Sequence, residues 1–129
     1  MKKLLILLFS ILISFNSYGE WTEITTGARD ETYYIDKDKI KKYDGYVYYW
    51  ELTNYHYLQL PSNGYMSDLV YFQVDCGVMR FRPLSGIFYK QPMGNGEKKS
   101  YPPPPEEWKY PPPYSIAEIT SNWVCDYVK

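Results

Sequence analysis

The sequence predicts an α+β fold: an antiparallel β-sheet meander of about five to six strands, packed against a C-terminal α-helix and closed by one disulfide. Three observations carry this reading. Short alternating apolar and polar runs recur between residues 21 and 89, separated by Gly, Asp, Asn and Pro turn signals. Ser115-Ile116-Ala117-Glu118 is a capping box, and an apolar repeat at helical spacing follows it. Two cysteines, Cys76 and Cys125, stand at the ends of these two regions.

Residues 1–19 read as an export signal. Lys2 and Lys3 precede an apolar run broken only by Ser10, and Ser17-Tyr18-Gly19 offers small residues at a cleavage site before Glu20. The run is too short to cross a bilayer, and no later stretch approaches that length, so no transmembrane segment is expected after cleavage. The working chain is then one domain, residues 20–129, in the periplasm, on the outer surface or secreted. In such an oxidising compartment an even pair of cysteines reads as a Cys76–Cys125 bridge.

Residues 21–26 and 32–36 read as two short strands joined by Gly27-Ala28-Arg29-Asp30. Asp36 is placed to cap a helical turn, and Asp44-Gly45 marks a tight reversal. A long strand follows from Tyr46 to about Tyr57. Tyr46, Tyr48, Trp50 and Leu52 fall on one of its faces, with Val47, Tyr49, Glu51 and Thr53 on the other. The bulkier first set is read as the core face. After the Pro61–Gly64 turn, residues 69–76 alternate cleanly: Val70, Phe72, Val74 and Cys76 inward, Tyr71, Gln73 and Asp75 outward. Residues 78–81 and 87–89 read as a further strand bent at Pro83 and Gly86. Ile116, Ile119 and Trp123 form the helical stripe. Cys125 lies off that stripe, so the helix is expected to end near Trp123 or Val124. Most of the ten prolines fall in residues 102–113. That segment is expected in extended polyproline geometry, pinned to the sheet by Trp108 and Tyr110.

The chain has 14 Lys and Arg against 15 Asp and Glu. Two of the lysines leave with the signal, so the exported domain is the more acidic. This argues against nucleic acid and against a purely electrostatic hold on anionic lipid. Glu51, Asp75 and Glu118 could supply acid–base chemistry, but read more simply as a solvent-face strand residue, a turn residue and a helix-cap residue. His56 is a lone histidine near a strand end. No nucleophile elbow, phosphate loop or zinc-protease motif is present, so a non-enzymatic protein without cofactor or metal is expected. Aromatic residues make up 19% of the chain, which suits strands and binding surfaces alike. The candidate partner-binding residues are Tyr49 and Tyr71 on the solvent face of the sheet, and Tyr101, Trp108 and Tyr110 in the proline-rich loop.

Several separated pieces resemble the surface-adhesin protein E family of Gram-negative bacteria. They are Trp21; Tyr33-Tyr34-Ile35-Asp36 and Ile40; Trp50-Glu51-Leu52-Thr53; Ser67; Asp75-Cys76; Arg80-Phe81-Arg82 with Leu84-Ser85; Pro92-Met93-Gly94; Trp108-Lys109-Tyr110; and Pro113, Ser115 and Val124-Cys125. The resemblance spans the exported chain. It implies a small antiparallel sheet with a C-terminal helix, closed by Cys76 and Cys125. It also implies adhesion to host extracellular-matrix or plasma proteins such as vitronectin, laminin and plasminogen. A periplasmic inhibitor or assembly factor docking onto another envelope protein is the alternative, and a small exported enzyme a more distant one. An exposed strand edge would permit a homodimer.

Overall fold

A computed structural model describes residues 20–102 and 107–129. The export-signal reading of residues 1–19, and Pro103, Pro104 and Pro105 of the proline run, lie outside the described residues.

Seven strands form one antiparallel sheet: β1 (Trp21–Thr26), β2 (Thr32–Asp36), β3 (Lys41–Tyr43), β4 (Tyr46–Asn54), β5 (Ser67–Asp75), β6 (Arg80–Gln91) and β7 (Asn95–Ser100). One helix follows, α1 (Ile116–Tyr127). The strand order is β1-β2-β4-β5-β6-β7, with β3 beside β4. β2 and β3 share one edge of β4, and between them lies the turn Lys37–Lys39. Asp36 caps it as expected, accepting the Asp38 N–H at 3.1 Å. β3 reverses into β4 through Asp44 (φ 52) and Gly45 (φ 83). Positive φ at both central residues is the two-residue turn that matches strand twist, which the Asp-Gly pair supplies.

Two strands escaped the sequence pattern. β3 is three exposed residues. β7 is entirely exposed and reads Asn-Gly-Glu-Lys-Lys-Ser, so it has no apolar alternation; charge on such a strand guards the sheet edge. Residues 78–81 and 87–89, read as one strand bent at Pro83 and Gly86, belong to a single strand β6, whose pairing shifts register between Ser85 and Pro83, opposite Tyr71 and Phe72, an irregularity of the kind that bends a strand.

The core lies on the face opposite to the one expected for β4. Val47 pairs with Val74, Tyr49 with Phe72, Glu51 with Val70 and Thr53 with Asp68. Directly opposed residues point the same way, so inward Val74 and Phe72 force Val47, Tyr49, Glu51 and Thr53 inward. The hydrophobic core is Ile35, Val47, Tyr49, Val74, Val124 and Cys125. Tyr49, expected on the solvent face, is 2% exposed. Aromatic bulk on Tyr46, Tyr48 and Trp50 was a misleading guide, because aromatic rings also suit an open sheet face. Only Leu52 of that set is fully buried. It is covered by the Pro92–Gly94 turn, which is tied down by three bonds: Met93 N–H to Asn54 Oδ1 (2.9 Å), Gly94 N–H to Ser67 Oγ (2.9 Å) and Ser67 Oγ to the Gln91 carbonyl (2.6 Å).

The capping box of α1 forms with a shifted second arm. Ser115 Oγ accepts the Glu118 N–H at 3.1 Å, while Glu118 Oε1 accepts the N–H of Tyr114 at 3.1 Å. The helix runs past the expected end, and Cys125 sits inside it. Its buried residues are Thr120, Ser121, Val124 and Cys125, not Ile119, which is exposed. These four follow the i, i+1, i+4, i+5 spacing of one helix face, but two are hydroxyl residues that an apolar scan passes over. Thr120 Oγ1 lies 3.1 Å from the Ile116 carbonyl, so its burial leaves no donor stranded.

The Cys76–Cys125 disulfide joins the end of β5 to this buried face, across 49 residues of chain and a Cα separation of 5.8 Å. Replacing both cysteines with serine should lower unfolding free energy by about 4 kcal/mol on the chain-entropy model. Urea denaturation of the double variant against the oxidised protein measures this.

Candidate binding face

The two faces of the sheet carry different chemistry. Beyond the N-terminal end of α1, the covered face holds a buried acidic cluster. Asp68 is 5% exposed and accepts hydrogen bonds from the hydroxyls of Tyr55, Tyr101 and Thr53. Burial nevertheless raises its pKa, with those three donors opposing the rise. Glu51 is 7% exposed, and its Oε1 has no hydrogen-bond partner. Burial pushes its pKa up to about 7; Thr120 pulls it down, and the Asp68 charge adds to the rise. The Thr120 hydroxyl has one proton, which the Ile116 carbonyl also solicits, so it relieves Glu51 only in part. Glu51 is therefore not the solvent-face residue the alternation suggested. Burial holds the phenols of Tyr33, Tyr55 and Tyr101 well above the usual tyrosine range, reinforced by the Glu31 carboxylate at Tyr33 and by Asp68 at Tyr55 and Tyr101.

Tyr101 closes the cluster. Its ring lies against Gly86, where an added Cβ would come within 2.5 Å of Cδ2, and stacks on Phe88 with centroids 4.0 Å apart. Its N–H bonds the Gly86 carbonyl at 2.9 Å. A side chain on residue 86 would expel the ring that bonds Asp68, so glycine is required there for close approach.

The opposite face is left uncovered by the helix and carries a lane of rings and cations. Trp50 and Tyr71 pack with centroids 4.8 Å apart, and Tyr71 and Tyr48 at 6.1 Å. Gln73 donates to Tyr48 Oη at 3.0 Å and accepts from Arg82 Nε at 2.7 Å. Arg82 and Arg80 both lie over the Trp108 ring, at 4.3 and 4.4 Å from its centroid, and Tyr46 packs against Trp108 at 5.5 Å. Arg80 also pairs with Asp75 at 3.0 Å. The proline-rich segment is thus pinned at Trp108. Lys109 exchanges both backbone bonds with Phe81, at 2.8 and 2.9 Å, on the stretch of β6 that β7 leaves unpaired.

The predicted partner-binding residues do not converge. Tyr71 is on the open face and Trp108 joins it there. Tyr110, 67% exposed, stands beside Arg80. Tyr101 belongs to the buried acidic cluster, and Tyr49 to the core. Tyr48, Trp50, Arg80 and Arg82 were not anticipated as a group. Their signal was the inward assignment of Val74, which fixes the outward residues of β4 and β6 through strand pairing. Asp75 and Glu118 have the turn and cap roles expected of them. His56 Nδ1 caps the Leu58 N–H at 3.2 Å, and its ring stacks on Tyr57.

Among the described residues the architecture is a seven-stranded antiparallel sheet with one disulfide-bonded helix on one face and an aromatic lane on the other. The chain belongs to the surface-adhesin protein E family, whose sequence pattern matches residues 21–126. Among solved structures, crystal form II of Haemophilus influenzae protein E is similar with a TM-score of 0.67 at 17% identity, covering 87% of this chain and 92% of that one. A second H. influenzae protein E structure gives 0.64 at 15% identity, over 84% and 86% of the two chains. Protein E from non-typeable H. influenzae gives 0.60 at 14%, over 84% and 77%. At these identities the likeness is one of fold. A comparison with curated proteins finds no match. Among the described residues, no helix is long and apolar enough to cross a membrane.

The acidic cluster sets a pH signature. Glu51 has a raised folded pKa, so its contribution to stability is full below its ordinary value of 4.5 and is lost as pH rises to about 7. Asp68 acts in the same direction. Across that window the wild type should lose up to about 3 kcal/mol relative to Glu51→Gln, which keeps the shape without the charge. Paired urea titrations from pH 4.5 to 8 check it; parallel curves for the two proteins would contradict it. Gly86→Ala should cost about 1–3 kcal/mol by displacing Tyr101, read from the same titrations.

Proposed function

We propose that this protein is an exported, non-catalytic adhesin that binds host extracellular-matrix or plasma proteins through the open face of its sheet. One observation carries the reading. The helix and disulfide seal one face, whereas Tyr48, Trp50, Tyr71, Arg80, Arg82 and Trp108 lie together on the other. Clustered Trp, Tyr and Arg are the residue types that dominate binding energy in protein interfaces. They are fixed before any partner arrives: Gln73 joins Tyr48 to Arg82, and Trp108 is held by two guanidinium groups. A face already ordered loses less side-chain entropy on binding. Family membership supports the adhesive role.

Binding of the oxidised protein to immobilised matrix and plasma proteins tests the reading. Trp50→Ala with Tyr71→Ala should weaken any such binding at least tenfold, the effect of losing about 1.4 kcal/mol or more from an aromatic anchor pair. Tyr127→Ala, on the exposed side of α1, should leave it unchanged. Undiminished binding by the Trp50 and Tyr71 variant would exclude this face.

A further inference from the structure

The connection from β4 to β5 is the longest between strands of the sheet, and its chemistry differs from that of the rest of the surface. Between Glu51 and Asp68 the chain has no Asp, Glu, Lys or Arg, although such residues make up 22% of the whole. At its outer turn, Tyr57–Gln59, Tyr57 and Leu58 are 69% and 72% exposed, and Leu60 is exposed beside them. Large apolar side chains gathered on the surface in this way mark contact with a protein or with a membrane.

Two features favour the membrane. The first is the backbone. Lipid offers no hydrogen bonds, so a segment that enters it must satisfy its own polar groups. Much of this loop does so internally. Leu58 N–H donates to His56 Nδ1 at 3.2 Å, and Gln59 N–H to the His56 carbonyl at 2.9 Å. Gly64 N–H donates to the Pro61 carbonyl and Tyr65 N–H to Asn63 Oδ1, both at 3.0 Å. Pro61 has no N–H to satisfy.

The second is charge. Charged groups steer a protein partner and fix its register, and this turn carries none. The edge of a bilayer instead takes uncharged apolar side chains and Tyr, whose ring is apolar while its hydroxyl stays wet. Both signs of charge stand around the base of the loop. Arg29, Asp30 and Glu31 lie on the β1–β2 turn, which the pairing of Thr32 with Asn54 brings to this end of the sheet, and Lys90 lies over the Tyr65 ring at 4.2 Å from its centroid. Mixed charge suits a zwitterionic headgroup layer rather than attraction to anionic lipid.

We propose that the β4–β5 loop is a membrane-contact site, at which Tyr57, Leu58 and Leu60 enter the headgroup–acyl boundary of a zwitterionic bilayer. A few side chains at this depth give weak, reversible attachment. Because the loop lies at one end of the strands, the contact leaves the open face clear and does not depend on what that face binds.

The test uses the oxidised protein without residues 1–19, whose apolar run would itself enter lipid, and phosphatidylcholine vesicles at roughly millimolar lipid. The protein should float with the vesicles at physiological salt. Neither added phosphatidylglycerol nor doubled salt should change the bound fraction by more than about twofold. Leu58→Ser with Leu60→Ser should weaken partitioning about tenfold or more. Val78→Ser, at an exposed apolar residue on the β5–β6 turn at the far end of the sheet, should leave it unchanged. A second measurement needs no substitution. With a nitroxide on the lipid acyl chain, the methyl NMR signals of Leu58 and Leu60 should broaden and those of Val78 should not. Failure of the wild type to float would overturn the proposal. Flotation that needs phosphatidylglycerol and disappears in salt would be charge attraction and overturn it as well, as would equal loss by the Val78 variant. If the leucine variant loses binding to matrix proteins while the wild type ignores vesicles, the loop is a protein contact and the membrane site fails.

Discussion

The Cys76–Cys125 bridge is the constraint on which the rest of the molecule depends. It ties the last residue turn of β5 to the buried side of α1, and so decides which face of the sheet the helix covers. A sheet of this size with one helix can bury only one face fully. Val124 and Cys125 then complete the core with Val47, Tyr49 and Val74, and Tyr46, Tyr48 and Trp50 of β4 are left on the other face. The helix docks by this apolar strip and the partly buried Trp123, with Thr120 and Ser121 making up its other buried positions. The covalent link adds to that packing by restricting the unfolded chain.

The covered face has a cost built into it. Glu51 and Asp68 lie where a larger apolar core would place aliphatic residues, and only Asp68 has a full set of hydroxyl donors. The orphaned oxygen of Glu51 is easier to bury when protonated than when charged. Tyr101 and the glycine beneath it link this cluster to the proline-rich segment. The segment is fastened again at Lys109 and Trp108, on the far side of the same strand.

Much of this was legible in the sequence. The strands at residues 21–26 and 32–36, the Asp36 cap, the Asp-Gly reversal and the capping box are local signals, each decided by neighbours a few residues away, and the disulfide was legible because the chain has two cysteines and so one possible pairing. The facing of β4 was not local. Its two sets of alternating residues are both apolar enough to be core, and only pairing with β5 chooses between them. The same limit hid the inward face of α1, because Thr120 and Ser121 look like solvent residues until the sheet is set against them. β7 has no pattern of its own and exists because β6 offers it an edge. For the open face the consequence was direct. Tyr71 was placed on it because β5 alternates cleanly, Tyr49 was misplaced with its strand, and Arg80 and Arg82 come together only when Trp108 arrives from a distant segment.

The central claim is that one face is sealed for stability and the other left for binding. Hydroxyl-radical footprinting of the protein alone and in complex with a matrix protein it binds tests this most directly, because tyrosine and tryptophan report readily on both faces. The account predicts protection of Tyr48, Trp50, Tyr71 and Trp108 in the complex, with Trp123 and Tyr127 on α1 labelled as in the free protein. Protection concentrated on α1, with the open-face rings still labelled, would contradict it.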